Sequence, residues 1–224
     1  MGIISSKNFV YRGIPQELVL AIRDHFQITD FIETGTYMGD TAKWAAKYFD
    51  RVITFEASSE VYLELQKNEL PTNCKAILGD SSQLIQNYIN RDSIYYLDAH
   101  YSSGNTFNSY PLLNEIKEIN KKGFNDFIII DDARFVLSKW NNERYCTLTE
   151  LLNELSKKDR YSIVFDDMII SVPSYSKDLL DDYTNRKSNV YWKIFLVGEP
   201  LGLIEKLKKI VPSGIKQFLK KIIN

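Results

Sequence analysis

Cysteine is scarce in this chain, with Cys74 and Cys146 alone among 224 residues. Two thiols make neither a disulfide framework nor a cysteine-rich metal site, and they fit a reducing compartment. No run approaches the ~20 apolar residues of a membrane span. The N-terminal stretch lacks the apolar core of a secretory signal, which points to a cytoplasmic protein. Net charge is nearly absent too. Lys+Arg 28 against Asp+Glu 29 leaves a formal charge of -1, so the basic excess of a dedicated nucleic-acid binder is missing. Low-complexity and repeat tracts are also lacking, which excludes collagen-like and disordered chains. What remains is an ordinary globular composition, 44% hydrophobic and 25% charged, in a chain long enough for one full core.

Charge is uneven along the chain. Residues 201–224 carry six lysines and one acid, Glu205. They read as two short amphipathic helices broken at Pro212-Ser213-Gly214. The simplest expectation is helices docked on the body, with lysines in solvent. The alternative is a contact with a partner protein or an anionic membrane surface. Met1-Gly2-Ile3-Ile4-Ser5-Ser6 fits the loose myristoylation pattern, one short enough to arise by chance.

Between residues 30 and 131 short β-rich runs alternate with helical ones. Strands are expected over Asp30–Glu33, Arg51–Phe55, Lys75–Leu78, Ser93–Leu97 and Asp126–Ile130. Helical periodicity fills 40–49, 58–69, 81–89 and 111–121, and Gln16–Phe26 precedes the first strand. Strands spaced by helices are βαβ units, which cross over right-handed into a parallel sheet. Further on, a helix at 147–157 leads to strands at Tyr161–Phe165 and Met168–Val172. Residues 173–189 read as a loop and Tyr191–Val197 as a last strand. The expected fold is α/β: a Rossmann-like doubly wound sheet, mostly parallel with an antiparallel edge strand, and helices on both faces. It would occupy residues 1–200 as one domain, with the tail 201–224 appended.

Ligands of such sheets bind beyond the carboxyl ends of the strands. The first strand runs into Glu33-Thr34-Gly35-Thr36-Tyr37-Met38-Gly39-Asp40-Thr41. Gly35 and Gly39 permit a tight turn and close backbone approach. The second strand ends in Glu56-Ala57, an acid about 20 residues after the first glycine and so placed to accept ribose hydroxyls. The third ends in Gly79-Asp80-Ser81, the fourth in Asp98-Ala99-His100. Tyr37 stands where a dinucleotide fingerprint needs its second glycine, so a ligand without a pyrophosphate fits better.

Glu-x-Gly-x-x-x-Gly, an acid closing strand two, and Gly-Asp-Ser after strand three together resemble the class I S-adenosylmethionine-dependent methyltransferases. The resemblance covers about residues 28–135. It implies that Gly35 and its neighbours Thr34, Thr36, Tyr37, Gly39 and Thr41 underlie the methionine part of S-adenosylmethionine. Glu56 and Ala57 would flank the ribose. Gly79, Asp80 and Ser81 would lie at the adenine edge, and Glu33 near the amino group. The bland alternative is plain turn glycines and a surface acid.

Asp98, Asp131 and Asp132 close two adjacent strands. Their mutual repulsion asks for something positive, most simply a hard divalent cation with oxygen ligands. A helix cap by Asp131 or Asp132 would explain one acid, not three. Asp166-Asp167 reads as a hairpin turn. Arg134 either meets a substrate phosphate or offsets the acids. His100 has the pKa of a neutral-pH base, but could also be a loop hydrogen-bonder or a metal ligand. His25 falls in a helix and reads as structural.

This constellation resembles the metal-dependent sugar O-methyltransferases of the macrocin O-methyltransferase type. It implies Mg²⁺ or Mn²⁺ on Asp98, Asp131 and Asp132, a sugar or glycan acceptor, and His100 as the base. Ala99-His100-Tyr101 departs from the glycine and second acid that many members carry there. Residues 101–110, rich in hydroxyls, amides and aromatics, suit a polyhydroxyl ligand or a solvent loop. Two rival readings stand: a catechol-like small-molecule acceptor, and a nucleoside-binding module without catalysis.

Overall fold

The structure, a computed structural model, describes residues 13–67, 69–99, 110–138 and 145–197, the last five as backbone only. His100, residues 101–109, the lysine-rich tail and Met1-Gly2 lie outside the described residues. The chain divides into two units, residues 11–180 and residues 1–10 with 181–224.

The first unit holds a seven-stranded sheet. Its strands are β1 (Asp30–Thr34), β2 (Arg51–Glu56), β3 (Cys74–Leu78), β4 (Ser93–Leu97), β5 (Phe127–Ile130), β6 (Arg160–Phe165) and β7 (Met168–Pro173). They lie in the order β3-β2-β1-β4-β5-β7-β6. The first five are mutually parallel, and β7 runs antiparallel to both its neighbours. The expected antiparallel strand is therefore β7, one place in from the edge, with β6 outside it. The strand order switches direction between β1 and β4, where a ligand crevice opens.

Central strands are buried on both faces. In β5, Phe127, Ile128, Ile129 and Ile130 are all buried, which stabilises the fold by roughly 1.5–3 kcal/mol per side chain. Ile32, Ile53, Tyr95 and Ile128 share one face by register. There they join one core cluster with Ile116, Ile119, Leu151 and Leu155. Those four come from α5 (Leu112–Lys121) and α7 (Leu148–Leu155). On the other face Phe127 meets Phe26 of α1 (Gln16–Phe26), and Phe31 meets Trp44 of α2 (Asp40–Ala45). The remaining helices of this unit are short: α3 (Ser59–Gln66), α4 (Ser81–Leu84) and α6 (Arg134–Leu137). Caps set the boundaries where the sequence supplies them. Thr147 and Glu150 form a capping box at α7, and Asp80 caps α4.

One expectation fails. Residues expected as a loop and then a strand form a single helix, α8 (Lys177–Val197). No glycine or proline interrupts the segment after Pro173. Acids at 178, 181 and 182 precede bases at 186 and 187, an order that suits both i,i+4 pairing and the helix dipole. The apolar run Tyr191–Val197 then continues the helix. None of the described helices is long and apolar enough to cross a membrane.

Candidate functional site

The turn after β1 is built for close approach. Gly35 has φ +85°, and a Cβ there would sit 2.6 Å from the Asp98 carbonyl oxygen. The end of β1 and the end of β4 therefore touch through backbone alone. Gly35 and Thr36 both donate their N–H groups to the Phe55 carbonyl, each at 3.0 Å. Tyr37 is exposed and held at φ +46°, a strained conformation of the kind found at ligand sites. Gly39, at φ +79°, leads into α2 and packs against Leu65.

Glu56 fixes this turn. One carboxylate oxygen accepts the Tyr37 N–H at 3.0 Å and the other accepts the Ser58 N–H at 2.9 Å. Ala57 is the residue spanned by that second bond. The β1 turn and the end of β2 are thus tied by one carboxylate, with a lone pair on each oxygen still available.

Glu33 lies beneath the turn, 2% exposed. It accepts from the Thr54 hydroxyl at 2.5 Å, and Thr54 also bonds the Thr36 hydroxyl at 2.6 Å. Burial pushes its pKa up to about 8; the charges of Asp98 and Glu56 add to the rise, and the Thr54 and Thr41 hydroxyls oppose it. Three carboxyls thus crowd one glycine turn, an arrangement that favours a cation and repels a pyrophosphate.

The expected adenine edge is differently occupied. Asp80 spends Oδ1 on capping α4, accepting from the Ser82 N–H at 2.9 Å and the Ser82 hydroxyl at 2.7 Å. Ser81 gives its hydroxyl proton to the buried Glu115 carboxylate. Gly79 anchors to β2 by donating its N–H to the Glu56 carbonyl at 2.8 Å. Glu115 was not among the residues expected at the site. The signal was present: it stands in the buried stripe of α5 beside Ile116 and Ile119, where an acid is costly unless used.

Asp98, Asp131 and Asp132 do border one pocket between the ends of β4 and β5, together with Glu115, Phe135 and Tyr145. Each acid has its own partners. Asp131 accepts the Tyr96 hydroxyl on Oδ2 and the Asp132 N–H on Oδ1 at 2.8 Å. Burial holds its carboxyl above the ordinary range. Asp132, at φ +54°, lies 2.6 Å from the Arg134 guanidinium. That guanidinium also pairs with Asp167. Asp167 accepts the Arg134 N–H at 3.0 Å on its carboxylate and the Ala133 N–H at 2.7 Å on its carbonyl. The two acid pairs of the sequence are therefore joined by Arg134, which ties the β6–β7 hairpin to the end of β5.

Among the described residues no group of three or more His, Cys, Asp or Glu side chains is placed to hold a metal ion. Arg134 supplies the positive charge at Asp132 instead. Replacing Arg134 by methionine should lower stability by about 1–2 kcal/mol, since nearly buried Asp167 loses a cation that is itself half-exposed. Lysine should restore only part, for lack of the guanidinium fork. Thermal melts of the three proteins check this, and equal melting temperatures would refute the tie.

No protein-family model matches the sequence, and no curated protein matches it. Solved structures match the fold. An O-methyltransferase from Bacillus cereus in complex with SAH, S-adenosylhomocysteine, is 18% identical with a TM-score of 0.50, covering 75% of this chain and 86% of that one. A protein from Staphylococcus aureus, provisionally described as a caffeoyl-CoA O-methyltransferase, is 13% identical with a TM-score of 0.51, over 75% and 87%. A protein from Clostridium thermocellum, provisionally described as an rRNA methylase, is 13% identical with a TM-score of 0.51, over 72% and 96%. At these identities the likeness is one of fold. The chain has the class I methyltransferase fold, which is similar to structures named for quite different acceptors. The acceptor has to be argued from the site.

Proposed function

We propose that this chain is an S-adenosylmethionine-dependent O-methyltransferase acting on a sugar hydroxyl. One observation carries the cofactor reading: Glu33, Glu56 and Asp98 crowd the glycine turn at the switch point of the sheet. S-adenosylmethionine brings two positive charges, an ammonium and a sulfonium, against one carboxylate, and no phosphate. When bound it supplies a methyl group on a good leaving group, so the protein's task is alignment and electrostatics. Glu56 would hold the ribose hydroxyls through its remaining lone pairs, and Glu33 the ammonium.

The acceptor enters the pocket between β4 and β5. Its hydroxyl oxygen forms the new C–O bond as the C–S bond breaks, the bonding pair stays on sulfur, and the hydroxyl proton leaves to a base. His100 follows Asp98 by two residues in sequence and is assigned that proton. Beside this pocket Asp131 accepts the Tyr96 hydroxyl and Asp132 pairs with the Arg134 guanidinium. The hydroxyl- and amide-rich sequence of residues 101–110 favours a saccharide over a catechol. Incubation with methyl-labelled S-adenosylmethionine and a sugar panel tests the reading. Label in a sugar ether supports it, and label only in catechols, or in none, counts against it.

Cofactor affinity should depend on pH. A cation beside Glu33 favours the carboxylate, whereas the free protein holds it protonated below about 8. Affinity should therefore rise as pH rises, by up to tenfold per unit, and level off above that value. Glu33→Gln should flatten the profile. Calorimetry across pH checks this, and a flat wild-type curve would remove Glu33 from the cofactor site.

A further inference from the structure

Two residues lining the pocket between the ends of β4 and β5 each carry a polar atom left unpartnered among the described residues. Glu115 is 1% exposed. Its Oε1 accepts the Ser81 hydroxyl, while Oε2 is buried with no hydrogen-bond partner among the described residues. Burial raises the Glu115 carboxyl to about 7 against the opposing Ser81 and Thr34 hydroxyls, and the Thr34 hydroxyl falls short of hydrogen-bond geometry. The Tyr145 hydroxyl is likewise buried and unpartnered among the described residues. Folded proteins rarely leave such groups unpaired, and a ligand is one way to satisfy them.

The walls narrow the choice of ligand. Tyr145 stacks on Phe135 with rings 2° from parallel and 5.1 Å apart, and Tyr110 meets it edge-on at 4.2 Å. Of these rings Phe135 and Tyr145 line the pocket, an apolar side that the C–H groups of a saccharide can cover. Among the described residues no Lys, Arg or His borders the pocket, whereas Asp98, Glu115, Asp131 and Asp132 all do. Asp132 is already paired with Arg134, but a phosphate would still meet the Asp98, Glu115 and Asp131 carboxyls and no cation of the pocket lining. A metal ion needs several oxygens converging on one point, which these acids lack. A ligand ammonium or hydroxyl needs only one or two acceptors.

Resting on the acceptor reading above, we propose that Glu115 Oε2 and the Tyr145 hydroxyl select an acceptor bearing a protonated amine beside its hydroxyls. That is an amino sugar, in preference to a phosphorylated or nucleotide-linked one. Glu115 is then a specificity-determining residue on a helix that the strand-end motifs do not include.

The full chain is first saturated with S-adenosylhomocysteine by calorimetry. Failure at that stage strikes the cofactor reading and not this one. The loaded protein is then titrated with glucosamine, glucose and glucose 1-phosphate by saturation-transfer NMR. Glucosamine should bind about tenfold more tightly than glucose, as a buried charged hydrogen bond allows, with glucose 1-phosphate weakest. Glu115→Gln should bring glucosamine down to the glucose level, and Tyr145→Phe should weaken both neutral and amino sugars. The S-adenosylhomocysteine heat reports that each variant is folded. Glucose 1-phosphate binding as well as glucosamine overturns the proposal. So does an undiminished amine preference in Glu115→Gln, no sugar binding by the loaded protein, or Mg²⁺ uptake that Glu115→Gln abolishes.

Discussion

A single methyl group added at residue 35 will abolish cofactor binding. Gly35→Ala places a Cβ 2.6 Å from the Asp98 carbonyl oxygen, 2.8 Å from its carbon and 3.1 Å from the Ala99 nitrogen. All three are backbone atoms at the end of a buried strand, so none can swing aside. The φ of +85° adds a left-handed penalty of about 1–2 kcal/mol for any L side chain. Relief requires β1 and β4 to part at their carboxyl ends, where the cofactor is proposed to lie. The variant should give no S-adenosylhomocysteine heat and melt several degrees lower than the parent. Wild-type affinity in a folded Gly35→Ala protein would mean that this turn is not the binding turn.

Removal of the Glu56 carboxylate should have the second largest effect. Glu56→Ala frees the Tyr37 and Ser58 N–H groups and removes the proposed ribose acceptor in one step. Charged hydrogen bonds contribute about 1.5–3 kcal/mol each, so affinity should fall by roughly a hundredfold or more. Glu56→Gln is the sharper variant. It keeps the shape but turns one acceptor into a donor, so one of the two N–H groups faces another donor. It should therefore resemble Glu56→Ala rather than the parent. Calorimetric titration separates the cases, and parental affinity in Glu56→Gln would show that the carboxylate is dispensable.

The legible and illegible parts of this molecule divide by range. Strands such as Ser93–Leu97 are visible because β-rich apolar runs end abruptly in acids and glycines, and α1 because its stripe repeats at helical spacing. The glycine turn and Glu56 are readable for the same local reason, since each sits at a strand end in fixed order. Helix α8 is misread because polar residues without an apolar stripe look like a loop, although charge order alone favours a helix. The pairing of Arg134 with Asp167 spans 33 residues and has no local signature. Ser81 looks free to meet a ligand until α5 brings Glu115 to it from 34 residues away. The three acids at 98, 131 and 132 do meet at one pocket. What their spacing could not reveal is that a guanidinium and a phenol already engage two of them.

On the proposed reading the acidic glycine turn receives a cationic adenosyl sulfonium and not a dinucleotide. Titration of the full chain with S-adenosylmethionine and, separately, with NAD⁺ decides between them. Saturable binding of S-adenosylmethionine accompanied by proton release near neutral pH, with no heat from NAD⁺, is the expected result. Binding of NAD⁺, or silence from S-adenosylmethionine in a folded protein, would contradict it.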